Sequence, residues 1–183
     1  MNLTGQIIVS MPSLEDERFY KTVIYICAHS SEGSMGIIIN KKIDYDLYPD
    51  LLQQLGIDKP LNNKKLFIRY GGPVESGRGF VLHSDDMVRK ETLNIDKGVA
   101  LTSTAEFFDD LSKGKGPKNC ILALGYAGWQ PGQLEYEIMR NSWMSLSVDN
   151  SFLFDDEVSR KWSQAYKLMG IDPNSLSSES GRA

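Results

Sequence analysis

Two short stretches carry the residue types from which chemistry could be built. The first is Gly72–Gly79, GPVESGRG. It places a glycine, four residues, and then Gly-Arg-Gly in near register with the phosphate-binding pattern G-x-x-x-x-G-K-[ST]. That pattern works because its lysine reaches the phosphates, its Ser/Thr hydroxyl holds Mg²⁺, and the loop opens a helix whose N–H groups face the anion. Here Arg78 stands at the lysine position, Gly79 has no hydroxyl for the metal, and FVLH follows, a strand by composition. A nucleotide cradle is therefore not expected. Gly71-Gly72-Pro73 and Gly77–Gly79 read as turn punctuation around a strand–turn–strand. Arg78 between two glycines is a different matter. Glycines let backbone crowd against a ligand, and a guanidinium can grip a carboxylate or phosphate bidentately. A loop arginine paired with a local carboxylate is the plainer alternative.

The second stretch runs from Gly125 to Trp143, GYAGWQPGQLEYEIMRNSW. It reads as a strand ending in a Gly-rich turn that enters a helix, the place where α/β proteins collect ligands. Gln133, Glu137 and Asn141 recur at i, i+4 and i+8, one polar stripe on that helix, which a solvated face would also explain. Trp129 and Trp143 bracket it. With Asn40, His83 and Tyr126, these residues and Arg78 make up the candidate ligand cleft. Cys27 and His29 lie two apart on an expected strand and so share a face. A Cys–His pair could activate a thiol, but a strand cysteine is more often a small buried hydrophobe. Two cysteines and two histidines without C-x₂-C or H-x₃-H spacing give no metal site. No cofactor and no catalytic constellation are legible.

The elements that must position these residues follow from pattern. Short apolar, β-branched runs predict strands over Gln6–Met11, Lys21–His29, Met35–Asn40, Lys64–Tyr70 and Gly79–His83. Weaker strands are expected at Glu91–Ile95, Val99–Leu101 and Trp143–Val148. Lys21–His29 and Met35–Asn40 flank SSEGS and read as a hairpin. Asn119–Tyr126 is the most apolar run and reads as central. Helices are expected at Asp50–Leu55, Ser103–Leu111, Pro131–Asn141 and Glu157–Met169. The last carries Trp162, Ala165, Tyr166 and Met169 on one face. The polar tail from about 172 to 183 reads as extended or mobile. Strands first and a mixed second half predict a mixed sheet rather than regular βαβ alternation.

Composition narrows the class. The chain has 183 residues, 41% hydrophobic and 24% charged, which suits one soluble globular domain spanning 1–183. The net charge of −4 argues against direct DNA binding, because a duplex binder displaces counterions with a basic excess. Cys27 and Cys120 are expected to be reduced and unlinked. No segment has the ~18 apolar residues that cross a bilayer, and the N-terminus lacks a basic n-region, so a cytoplasmic protein is expected.

Taken together, Met11-Pro12 with Leu14, Asp16 and Phe19, then TVIYICAH, GSMGIIIN, GGPVESGRGFVLH, LGYAGWQPGQLEYEI, Asn141, Trp143, LFD, Trp162, GIDP and the LSS tail closely resemble the YqgE/AlgH family. The resemblance covers nearly the whole chain. It implies an α/β (α+β) fold whose mixed, split β-sheet curls into a pseudo-barrel with helices packed outside, in a cytosolic bacterial protein. The family is labelled as transcriptional regulators, yet no helix-turn-helix is legible: after Ser103–Leu111 comes GKGPK and a strand. The expectation is a regulator acting through a protein partner or a small anionic ligand. The alternative is an enzyme or ligand-binding protein using the cleft around Arg78.

Overall fold

The computed structural model describes residues 2–43, 50, 53 and 68–176. The expected helix Asp50–Leu55, most of the expected strand Lys64–Tyr70, and the end of the tail lie outside these. Nine strands form one mixed sheet: β1 (Ile7–Ser10), β2 (Val23–Ser30), β3 (Gly33–Ile38), β4 (Ile68–Tyr70), β5 (Val74–Ser84), β6 (Leu93–Asp96), β7 (Val99–Thr102), β8 (Cys120–Trp129) and β9 (Trp143–Leu146). The described helices are α1 (Ala105–Ser112), α2 (Gln133–Met139), α3 (Asn150–Phe154) and α4 (Lys161–Leu168).

The strand order is β6-β7-β5-β8-β3-β2-β1-β9, with β4 on β8 off this path. The β2–β3 hairpin and the central position of β8 are as the sequence predicts. One edge of β8 pairs with β5. Its other edge is shared: Leu122–Leu124 pair with β4 in parallel, and Ala127–Trp129 pair with β3 antiparallel. This sharing splits the sheet, and the β4–β8 pair makes it mixed.

Glycines make the split possible. Gly71 donates to the Leu124 carbonyl at 2.7 Å as β4 ends. A Cβ on Gly71 would sit 2.2 Å from the Gly125 oxygen, and one on Gly72 would sit 2.1 Å from the Tyr126 carbonyl carbon. Gly125 itself has φ +68, a left-handed conformation that costs glycine little. It adds one residue to the strand and reverses the alternation of faces. Before it, Ile121 and Ala123 face one core and Leu122 and Leu124 another; after it, Tyr126 turns toward the first while Ala127 and Trp129 turn away. The expected turn over Gly125–Gly132 is therefore, as far as Trp129, a continued strand with a bulge, and the chain turns only at 130–132.

The sheet curls so that both halves put side chains into one interior. Ile7, Val9, Val23, Tyr25 and Ile37 from one half meet Phe80, Leu82, Leu101, Ile121 and Ala123 from the other. The Asp96 side chain at the end of β6 lies against Gly5, just before β1, so the sheet ends approach without pairing. The helices divide between the faces. α1 packs outside through Phe107, Phe108 and Leu111, and α2 outside through Leu134. α3 and α4 pack on the concave face through Leu153, Trp162, Ala165 and Tyr166. Trp162 Nε1 and Tyr166 Oη both donate to the Ser10 carbonyl, at 2.9 and 3.1 Å, tying α4 to β1. No described helix is long and apolar enough to cross a membrane.

The glycines of the 71–79 stretch thus divide into two kinds, and substitution separates them. Gly72→Ala is expected to destabilise the protein by more than about 2 kcal/mol, because its Cβ meets rigid backbone. Gly77→Ala, where a Cβ meets nothing within 4 Å, is expected to stay within about 0.5 kcal/mol of the parent. Urea titration of the two variants checks this.

Candidate functional site

The residues singled out in the sequence do not converge on one cleft. Arg78 and Tyr126 come together; Asn40, His83, Gln133, Glu137, Asn141 and the Trp129 indole are used elsewhere.

Arg78 lies on the outward-bulged start of β5. From Val74 to Gly79 this strand advances five residues while its partner moves two, from Tyr126 to Leu124. Within the bulge Glu75 takes φ +47, a left-handed backbone that costs a non-glycine residue roughly 1–3 kcal/mol. The conformation brings the Glu75 carboxylate to Arg78 Nη1 at 3.2 Å. Arg78 Nε donates to Ser103 Oγ at 3.0 Å, and Ser103 Oγ in turn donates to the Gly79 carbonyl at 2.6 Å. The guanidinium also lies 5.0 Å from the centroid of Phe80, whose ring meets Tyr126 edge-on at 5.6 Å. Arg78 is thus held on three sides while 53% of its side chain stays exposed.

It borders a cavity of about 280 Å³ at one mouth of the curled sheet, lined by Met35, Glu75, Phe80, Glu91, Leu101 and Tyr126 among others. Met35 and Tyr126 are shared with a shallower groove of about 550 Å³ that runs along Gly33–Met35 and Gly128–Pro131, so Trp129 lines this groove beside Tyr126 although its indole N–H is used elsewhere. A larger hollow of about 1,000 Å³ lies between α3 and α4. Its carboxylates are occupied as caps: Asp149 accepts from Phe152 N, and Asp155 from Glu157 N.

The other expected cleft residues have structural duties. Asn40 accepts from Val23 N and donates to the Lys21 carbonyl, both at 2.8 Å, which fixes the start of β2. His83 is fully buried against Phe107 on the outer face. Its Nδ1–H donates to the Ser84 carbonyl, so Nε2 accepts from Thr102 Oγ1 at 2.8 Å. Burial holds its pKa below the usual histidine value, and the ring is a neutral core group rather than a proton shuttle. Asn141, at φ +56, ends α2 in the left-handed cap conformation.

Gln133 and Glu137 do form a stripe, with Gln133 exposed and Glu137 half-buried against the sheet. Gln133 Nε2 donates to Glu137 Oε1 at 2.8 Å, and Glu137 Oε2 accepts both the Trp129 and Trp143 indole N–H groups, at 3.0 and 2.8 Å. One carboxylate therefore joins β8, β9 and α2. The reason Trp129 leaves the cleft is the face reversal at Gly125, which no local pattern announces.

Cys27 and His29 do not share a face. The β2 register shifts between Ile26 and Ala28, so Cys27 joins the interior while His29 reaches Ser34 Oγ and Glu135 of α2. Burial raises the Cys27 thiol pKa strongly, the reverse of what a nucleophile needs. No disulfide links Cys27 and Cys120. Among the described residues no group of His, Cys, Asp and Glu could hold a metal ion.

A pair of buried cations escaped the sequence reading. Arg69 of β4 is 2% exposed. Its Nη1 donates to the Ile39 carbonyl at 2.7 Å, its Nη2 reaches the exposed Asp156 at 3.5 Å, and its Nε has no hydrogen-bond partner among the described residues. Lys161 of α4 is fully buried, donates to the Phe152 carbonyl and lies over the Phe152 ring. Burial, and then the Arg69 charge, push its pKa down to about 8. Neither KWSQ nor FIRY carries a signal for this, since a lone cation in an amphipathic element is ordinarily on the surface.

A split mixed sheet curled around one core, with a single held arginine at its mouth, defines a small α/β pseudo-barrel class. The sequence profile of the AlgH-like family matches residues 7–174, and the chain belongs to that family. A UPF0301 protein of Rhodopseudomonas palustris (strain BisB18) is 49% identical, over 99% of this chain and 89% of its own length. One from Jannaschia sp. (strain CCS1) is 44% identical, over 100% and 96%. The solution structure of the AlgH protein from Pseudomonas aeruginosa is 32% identical with a TM-score of 0.79, covering 100% of this chain and 97% of that one. A crystal structure of a Corynebacterium diphtheriae protein, 20% identical with a TM-score of 0.69 over 92% and 87% of the chains, shares the fold.

Two outcomes follow for the buried polar groups. Glu137→Ala leaves two indole N–H groups without their acceptor and is expected to cost at least about 2 kcal/mol; urea unfolding followed by tryptophan fluorescence measures it. Lys161 has a folded-state pKa below its unfolded one, so its burial penalty is complete below about pH 8 and fades toward pH 10.5. The stability of Lys161→Met relative to the parent is therefore expected to be highest near pH 7 and to fall as pH rises through that window. Paired thermal melts across the range test the trend.

Proposed function

We propose that this protein is a non-enzymatic binding protein. It takes a small ligand with a carboxylate or phosphate at the mouth of the curled sheet and acts on a protein partner rather than on DNA. The observation that carries the reading is Arg78: a guanidinium held by Ser103, Glu75 and Phe80, yet with Nη2 free of hydrogen bonds among the described residues and open to a cavity. Pre-positioned polar groups in a concave, apolar-lined mouth are how barrel-like folds hold ligands. Among the described lining residues no nucleophile–base pair is set up, which favours binding over catalysis. A small molecule is favoured over a phosphate-rich polymer because Arg78 is the one cationic side chain among the described lining residues, beside Glu75 and Glu91.

A thermal-shift screen of carboxylates and phosphates tests the proposal. A true ligand at ~100 times its Kd is expected to add about 2.7 kcal/mol of stability. Arg78→Ala is expected to abolish that gain while changing the ligand-free stability by no more than about 1 kcal/mol, since both members of its ion pair with Glu75 are about half exposed. A ligand that stabilises the variant as well as the parent removes Arg78 from the site.

A further inference from the structure

We infer that the ligand held at this mouth is a zwitterion: an α-amino acid, or a molecule of the same chemistry, with an apolar side chain. The inference rests on the mouth being the ligand site, as proposed above, and it comes from what else lines the cavity. Besides Arg78, the charged lining groups are Glu75 and Glu91. Glu75 is committed to Arg78 Nη1. Glu91 is exposed, precedes β6, and makes no hydrogen bond or ion pair among the described residues. Two carboxylates and one guanidinium leave the cavity one negative charge in excess, so a ligand bringing only negative charge meets Arg78 and repulsion together. One that brings a carboxylate and an ammonium satisfies both Arg78 and Glu91, the complementarity by which charged sites select ligands.

The rest of the described lining is largely apolar: Met35, Phe80, Leu93 and Leu101 contribute to it, and Leu93 is 44% exposed on its strand. Tyr126 adds a hydroxyl with no hydrogen bond among the described residues. The volume of about 280 Å³ admits a small molecule, and an apolar amino acid such as leucine is of that class. The adjoining groove past Met35 and Tyr126 gives larger side chains somewhere to extend.

The test titrates the whole chain by calorimetry with L-leucine, 4-methylpentanoate and 3-methylbutylamine, which share a skeleton and lack neither, the amine or the carboxylate. L-methionine and L-phenylalanine with their deaminated acids form two further pairs. Each amino acid is expected to bind at least about tenfold tighter than its deaminated acid. Glu91→Gln is expected to remove that difference without weakening the deaminated acids, while Arg78→Lys weakens both members of each pair. Equal binding of amino acid and deaminated acid by the parent, or full affinity for amino acids in Glu91→Gln, overturns the zwitterion and leaves the Arg78 anchor standing. Failure of all these probes while a simple carboxylate or phosphate binds through Arg78 has the same meaning. Failure of every anionic probe overturns both readings.

Discussion

The fold depends on one close approach of backbone to backbone. Gly71 and Gly72, leaving β4, lie against Gly125 and Tyr126 in the middle of β8, at separations that a single Cβ would prevent. Because they can touch, β8 gives one half of an edge to β4 and the other half to β3. Because Gly125 is left-handed, the side chains of β8 change face at that point. A regular strand would keep Trp129 and Ala123 on one side; this one sends Ala123 inward and Trp129 outward. The two halves of the sheet can then curl toward each other and share an interior while each keeps its own outer core.

Polar groups hold the pieces in relation. Glu137 gathers two indoles from β8 and β9 onto α2, a charge-assisted arrangement that rewards a single geometry. Trp162 and Tyr166 do the same for α4 on the Ser10 carbonyl. Arg69 and Lys161 are the opposite case, two cations taken from water with incomplete compensation. Such burial is a weak source of stability. It marks the junction of β4 with α3 and α4 as less than optimal for stability, which natural proteins tolerate when they sit above their stability threshold.

The mouth at Arg78 shares no described lining residue with that junction. It is assembled from strands that are non-local in sequence: Met35 from β3, Arg78 and Phe80 from β5, Leu93 from β6, Leu101 from β7 and Tyr126 from β8. Rigid strands rather than loops carry most of these side chains, so the cavity is largely pre-formed. What the bulge in β5 adds is the placement of Glu75 beside the guanidinium, at the expense of a strained backbone.

Much of this was legible in order and type. Short apolar and β-rich runs located all nine described strands in whole or part, because short-range pattern and propensity act within a few residues, and the amphipathic face of Trp162, Ala165 and Tyr166 emerged buried as its spacing requires. The failed phosphate motif was also legible, since a missing hydroxyl and a following strand are local facts. The face reversals were not. Gly125 and the irregularity at Cys27 each shift side-chain direction by one residue, and that shift separated Trp129 from Arg78 and His29 from Cys27. Whether Glu137 faces water or two indoles, and whether Lys161 is solvated or buried, depends on partners far away in the chain. The sequence by itself determined the elements, the family and the glycines that allow close packing. Only the tertiary structure decided which side chains meet, because a residue's face is set by register and bulges, and these are fixed by pairing with distant strands rather than by the residues beside it.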